Sequence, residues 1–242
     1  ESLLDGCALG SLRRPGLLVT SARNALATHA PRRERDRELL EAVTGALSRG
    51  GDVLLPVDTA GRALELILVL EAHWRQNRRL TRFPIVLLHH VAFNTLEFAR
   101  SEIEWMSHEV VRAFDETREN AFALKHVHTC HQIAAAAAAR GPKVILVTGA
   151  ELRSGMASLL LPVFLGQPNA LVLLTQGARE GTPAAALAAQ PPPRQVELTL
   201  REREMLVGEE LEEHLRAQRR AKRAREEAAE GEEGEEGEEG EE

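Results

Sequence analysis

The stretch that most constrains what this chain can fold into is Asp52–Arg75, D-V-L-L-P-V-D-T-A-G-R-A-L-E-L-I-L-V-L-E-A-H-W-R. Val53-Leu54-Leu55, followed by Pro56 and Val57, is the short apolar run expected of a strand buried on both faces. Asp58, Thr59 and Gly61 supply turn and cap chemistry, and Asp58 or Thr59 is expected to accept the first free N–H groups of a helix. From Arg62, the residues Leu64, Leu66, Ile67, Leu68, Val69, Leu70 and Trp74 leave little polar surface, so this helix is predicted to be largely buried. A buried strand feeding a buried helix is half of a parallel β-α-β unit.

The rest of the chain repeats that grammar. Further strands are predicted at Leu17–Val19, Pro84–Leu88, Ala123–Thr129, Val144–Val147 and Ala170–Thr175. Val196–Leu200 alternates with polar residues as an edge strand does. Helices are predicted over Arg32–Arg49, where apolar positions recur at i, i+3 and i+4, and over one long segment from Asn94 to Phe114. Others follow at Gln132–Ala139, Met156–Leu165 and from Pro183 to Ala189, the last with proline at its first position. Strand and helix alternate about six times, which predicts an α/β fold with a mostly parallel sheet flanked by helices. Glu209–Glu230 reads as a polar helix with few apolar positions, Leu211 and Leu215, and is expected to project from the body.

With 242 residues, 43% of them hydrophobic, there is enough apolar material for one such domain with a sizeable core. Aromatic residues are 3% and tyrosine is absent, so that core must be aliphatic. Two cysteines, Cys7 and Cys130, do not make a disulfide framework, and the chain reads as intracellular. No apolar run approaches the ~20 residues of a membrane helix, so no membrane partner is expected. The start, Glu1-Ser2-Leu3-Leu4-Asp5, has neither the basic nor the apolar region of a signal peptide, nor an initiator methionine. The chain is accordingly expected to be a piece of a longer protein. Its net charge is −7, but residues 226–242 hold eleven glutamates and no basic residue, and without them residues 1–225 carry +4. A Glu/Gly run of this kind repels itself and has nothing to bury, so it is expected to be a disordered, solubilising tail.

Three places could carry chemistry. In His126-x-His128-x-Cys130-His131, an extended strand would point 126, 128 and 130 to one face, where two imidazoles and a thiol can ligate a metal. The string imitates the H-x-H-x-D-H of metallo-β-lactamase hydrolases, with Cys130 in place of the aspartate. No second ligand motif follows it, and incidental histidines at a strand end are the plainer reading. His89-His90 ends a strand, where open α/β sheets bind ligands, although histidine also serves as partly buried polar filler. Asp58–Arg62 lacks both the Lys-Ser/Thr of a P-loop and the G-x-G-x-x-G of a dinucleotide fold. Arg62 at a helix start could meet a phosphate or pair with an acidic neighbour. With Arg32, Arg33 and Arg35 near another helix start, it forms the candidate set for RNA backbone contact. A chain so poor in aromatics shows no base-stacking platform.

Several strings together resemble the β-CASP family of metallo-β-lactamase-type RNA nucleases. They are Leu17-Leu18-Val19; Pro31-Arg32-Arg33 with Arg35-Asp36; G-R-A-L-E-L at 61–66; Phe122-x-x-Lys125-His126; Gly141–Leu146; and Ser154-Gly155. The resemblance divides the chain into a remnant of the metallo-β-lactamase domain (1–15), a β-CASP domain (16–205), a charged helix (206–228) and the acidic tail (229–242). V-D-T-A-G-R at 57–62, E-W-M-S at 104–107, H-x-x-x-C-H at 126–131 and G-E-E-L-E-E-H-L at 208–215 are similar to the non-catalytic branch of the family. Active members carry an acidic residue at the end of the strand matching Leu17–Val19, and Thr20 stands there in this chain. The resemblance therefore implies a nuclear, non-catalytic subunit without a cofactor. It would associate with pre-mRNA, with an active nuclease homologue and with scaffold subunits of the cleavage and polyadenylation complex. It also places His126–His131 in the middle of the insert, away from the family's metal site. The alternative is an active metal-dependent ribonuclease whose ligands lie outside this fragment.

Overall fold

A computed structural model of the chain describes residues 3–6, 10, 13–19, 28–139, 141–191, 193–200 and 207–220. Five parallel strands form one sheet in the order β3-β2-β4-β1-β5: β1 Val53–Val57, β2 Ile85–Leu88, β3 Val127–Cys130, β4 Val144–Thr148 and β5 Leu171–Val172. The helices are α1 Arg32–Ser48, α2 Arg62–Gln76, α3 Ala92–Ser101, α4 His108–Thr117, α5 Ile133–Ala138, α6 Met156–Leu165 and α7 Pro183–Ala188. This is the α/β architecture that the alternating pattern predicts. Residues 209–220 are also helical, and every side chain there is exposed.

The sheet separates two apolar clusters because successive strand residues point to opposite faces. Val53, Leu55, Val57, Ile85, Leu87, Val144 and Leu146 meet α1, α2 and α3 on one side. Leu54, Val86, Leu88, Ile145 and Val147 meet α5, α6 and α7 on the other. Every residue of β1 and β2 is buried, which accounts for their unbroken apolar runs. Trp74 of α2 is fully buried and donates its indole N–H to the Phe83 carbonyl at 2.8 Å, so its one polar atom is satisfied. Asp52 and Lys143 pin the entries of β1 and β4: the Lys143 N–H donates to Asp52 Oδ1 at 3.1 Å, and its ammonium lies 3.5 Å from Oδ2.

Pro56 sits inside a central strand, where the lack of an N–H would ordinarily cost a ladder bond. Leu54 accepts from Leu173 of the chain leaving β5, whereas Val57 accepts from Gly149 beyond β4. Pro56 therefore faces the β5 side, one step past the end of that two-residue strand.

Four local expectations are corrected. Leu17–Val19 is no strand; its side chains are 67–86% exposed. Residues 196–200 are likewise irregular. The segment from Asn94 to Phe114 is two helices, because the chain turns through Ile103–Trp105 and Ser107. There the Ser107 N–H bonds to the Leu3 carbonyl, and Asp5 accepts from the His108 N–H and ring, capping α4 from outside its own sequence. Finally, neither Asp58 nor Thr59 caps α2. Gly61, at φ +62°, is its N-cap, and the carbonyls of Ala60 and Gly61 take the first amides. Thr20, Cys7 and the acidic tail lie outside the described residues.

Candidate functional site

Because all five strands run the same way, their carboxyl ends gather the loops after β1, β4 and β5 along one edge of the sheet. Open α/β sheets bind ligands at such an edge. A cleft of about 860 Å³ opens there, lined by Arg32 and Arg35 of α1, Arg62 and Glu65 of α2, and residues 174–178 after β5. The two helix starts that the sequence marked separately thus share one cleft. Arg32 is committed, its Nε 3.3 Å from Asp36 Oδ2. Arg35 and Arg62 are exposed and form no ion pair among the described residues. Arg33, one position around α1, lines a different groove.

A second recess of about 650 Å³ continues along the same edge and shares Gln176, Gly177 and Ala178 as a common wall. Asp58, Arg153, Ser154 and Arg179 line it. Arg179 lies 3.6 Å from Glu151, while Arg153 forms no ion pair among the described residues. Gly149 turns the chain after β4 at φ +117°; a Cβ there would lie 2.3 Å from the Ser154 carbonyl oxygen, so only glycine fits. This recess escapes sequence reading because Arg153 and Arg179 are isolated basic residues in different loops. Their strand-end positions are the only signal.

The histidine cluster is taken apart by the fold. His126 turns toward α2, where its Nδ1 lies 3.1 Å from the Glu71 carboxylate. His128 is exposed on the edge strand, and Cys130 packs into the cluster on the other face, where burial raises its thiol pKa. The ring of exposed His131 reaches the His89 carbonyl at 3.3 Å. No group of three His, Cys, Asp or Glu side chains able to hold a metal is present among the described residues. His89 is buried. Its Nδ1 accepts from the Val91 N–H at 3.0 Å, and burial, reinforced by His90 and His131, lowers its pKa. This is the bonding of a satisfied structural histidine.

Glu71 is the group that sequence reading missed. Its side chain is 3% exposed within apolar α2, and it accepts from the Lys125 and His126 N–H groups and from Arg75 Nε, each at 3.0 Å. It fixes the chain entering β3. An acidic residue following the apolar run Leu66–Leu70 of that helix was the available signal.

Residues 63–187 match the Beta-Casp domain, and the chain belongs to that family, whose α/β fold it shares. Over 213 residues, 87% of this chain, it is 42% identical to cleavage and polyadenylation specificity factor subunit 2 of Arabidopsis thaliana. It is 40% identical over 221 residues, 90% of the chain, to the probable subunit 2 of Drosophila melanogaster. Endoribonuclease ysh1 of Schizosaccharomyces pombe is 30% identical over 179 residues, 74% of the chain and 23% of that protein. The chain spans 29% of the length of each of the two subunit 2 relatives.

Proposed function

We propose that this chain is the β-CASP portion of a non-catalytic scaffold subunit acting in the nucleus in pre-mRNA cleavage and polyadenylation. The observation that carries the reading is its 40–42% identity to subunit 2 chains over 87–90% of its length, against 30% to the endoribonuclease. Thr20 adds to it on chemical grounds: a hydroxyl stands where a metal-linked carboxylate would be needed to help hold two cations ~4 Å apart. The subunit associates with an active nuclease homologue and with the scaffold of the complex, and it helps present RNA near the cleavage site. Arg35 and Arg62, with Arg32 beside them, are the groups for phosphate contact; Arg33 faces a separate groove and is left out of this contact.

Three measurements test this reading. Full-length protein purified free of its nuclease homologue, given zinc and a labelled pre-mRNA carrying a polyadenylation site, should leave the RNA intact, and in a separate pull-down it should capture that homologue. Cleavage abolished by a chelator would select the second reading, an active ribonuclease, which the likeness to Endoribonuclease ysh1 favours. RNA affinity should fall steeply with salt, and the double variant Arg35→Glu/Arg62→Glu should reduce the slope of log affinity against log salt by about 0.7 for each phosphate it no longer neutralises. An affinity indifferent to salt would remove RNA binding from the proposal.

A further inference from the structure

A third groove, of about 1290 Å³, runs between α1 and the end of α2 and is distinct from the carboxyl-edge cleft. Its floor is aliphatic and aromatic: Leu40 is half-buried, and Leu80 and Phe83 are 5% and 7% exposed. Its rim carries Arg33, Arg79 and Arg82. None of these forms an ion pair among the described residues, whereas the groove's two acids are engaged, Asp36 with Arg32 at 3.3 Å and Glu41 with Arg37 at 3.9 Å. The rim is thus left with net positive charge above an apolar floor.

Sites that hold single-stranded RNA by base stacking present exposed ring faces. Here the one aromatic of the floor is buried, and the Arg82 guanidinium lies over its ring at 4.5 Å. A helix with an apolar stripe flanked by carboxylates matches both features, by the helix-in-groove mode of recognition. We propose that this groove docks an acidic amphipathic helix of a partner protein. Its aliphatic side chains pack on half-buried Leu40 and along the methylene stems of the rim arginines, and flanking carboxylates face Arg33, Arg79 and Arg82.

The probe is a fluorescein-labelled peptide of about 18 residues, long enough to hold a helix, with leucines at i, i+3, i+4 and i+7, glutamates beside that stripe, and alanines and lysines on the opposite face in i,i+4 Glu–Lys pairs. Anisotropy with the whole chain should show binding, and Arg79→Glu/Arg82→Glu should weaken it about tenfold or more, as removal of close interfacial charge pairs does. Arg33→Glu, on a different element, should act in the same direction should the double variant fail to fold. A peptide with lysine for glutamate should prefer the charge-reversed protein, and one with serine for leucine should not bind. The proposal is overturned if the leucine–glutamate peptide does not bind, if charge reversal leaves its affinity unchanged, or if a uridine oligonucleotide displaces it.

Discussion

Glu71 lies inside an apolar helix because two backbone amides, a guanidinium and an imidazole reach it there. Burial by itself raises its pKa, but these donors outweigh burial and hold the carboxyl below its ordinary range. A depressed folded pKa contributes stability that is complete above the unfolded value of ~4.3 and is lost as pH falls through the lower folded value. Glu71→Gln should therefore flatten the acid limb of a plot of urea midpoint against pH. Glu71→Ala should cost about 3 kcal/mol at neutral pH, because buried donors lose their acceptor. His89 acts in an earlier window. Its folded pKa is depressed by burial, so the unfolded chain takes up the proton first, and stability should begin to fall as pH drops below ~6.5. A His89→Gln chain whose midpoint still declined equally between neutrality and that acid limb would show that other groups dominate this window.

The turn from α1 into β1 depends on two adjacent glycines for different reasons. A Cβ on Gly51 would lie 1.7 Å from the Asn169 carbonyl oxygen, in the loop before β5, whereas one on Gly50, at φ +82°, would meet nothing within 4 Å. Gly51→Ala should cost about 3 kcal/mol by overpacking backbone against backbone. Gly50→Ala should cost only about 1 kcal/mol of left-handed strain. Chemical denaturation of the two variants, with equal losses as the adverse result, checks the distinction. At this scale the sequence was legible where burial is two-sided. β1, β2, β4 and α6 are marked by apolar runs of the right length. It was not legible where partners are remote: α3 and α4 separate because Leu3 and Asp5, about a hundred residues earlier, bind the backbone at Ser107 and His108. Alternating apolar residues at 196–200 had the right period for a strand but pair with no strand among the described residues.

For the whole molecule, charge is the property most unevenly distributed. Residues 226–242 contribute eleven of its negative charges, without which the remainder is +4. A chain ending at Arg225 should therefore bind a uridine 20-mer more tightly than the full chain at low salt. The two should converge once the screening length drops to about 3 Å near 1 M salt, a comparison anisotropy reads directly. Arg32, Arg35 and Arg62 could be singled out from helix starts, but their meeting in one cleft depends on the order of strands and the side on which α1 packs, and no spacing encodes either. The proline in β1 has a consequence for that cleft. One absent amide hydrogen sets how far β5 can zip: past Leu173 the next rung of the ladder has no donor on β1, so residues 174–178 peel away as a rim instead of lying flat. Pro56→Ala would restore the donor, and slower hydrogen exchange at Thr175 would report the rim closing down. Unchanged exchange there would mean that the rim is held open by other means. The opening at the sheet edge is, on this view, shaped by a hydrogen that the chain does not have.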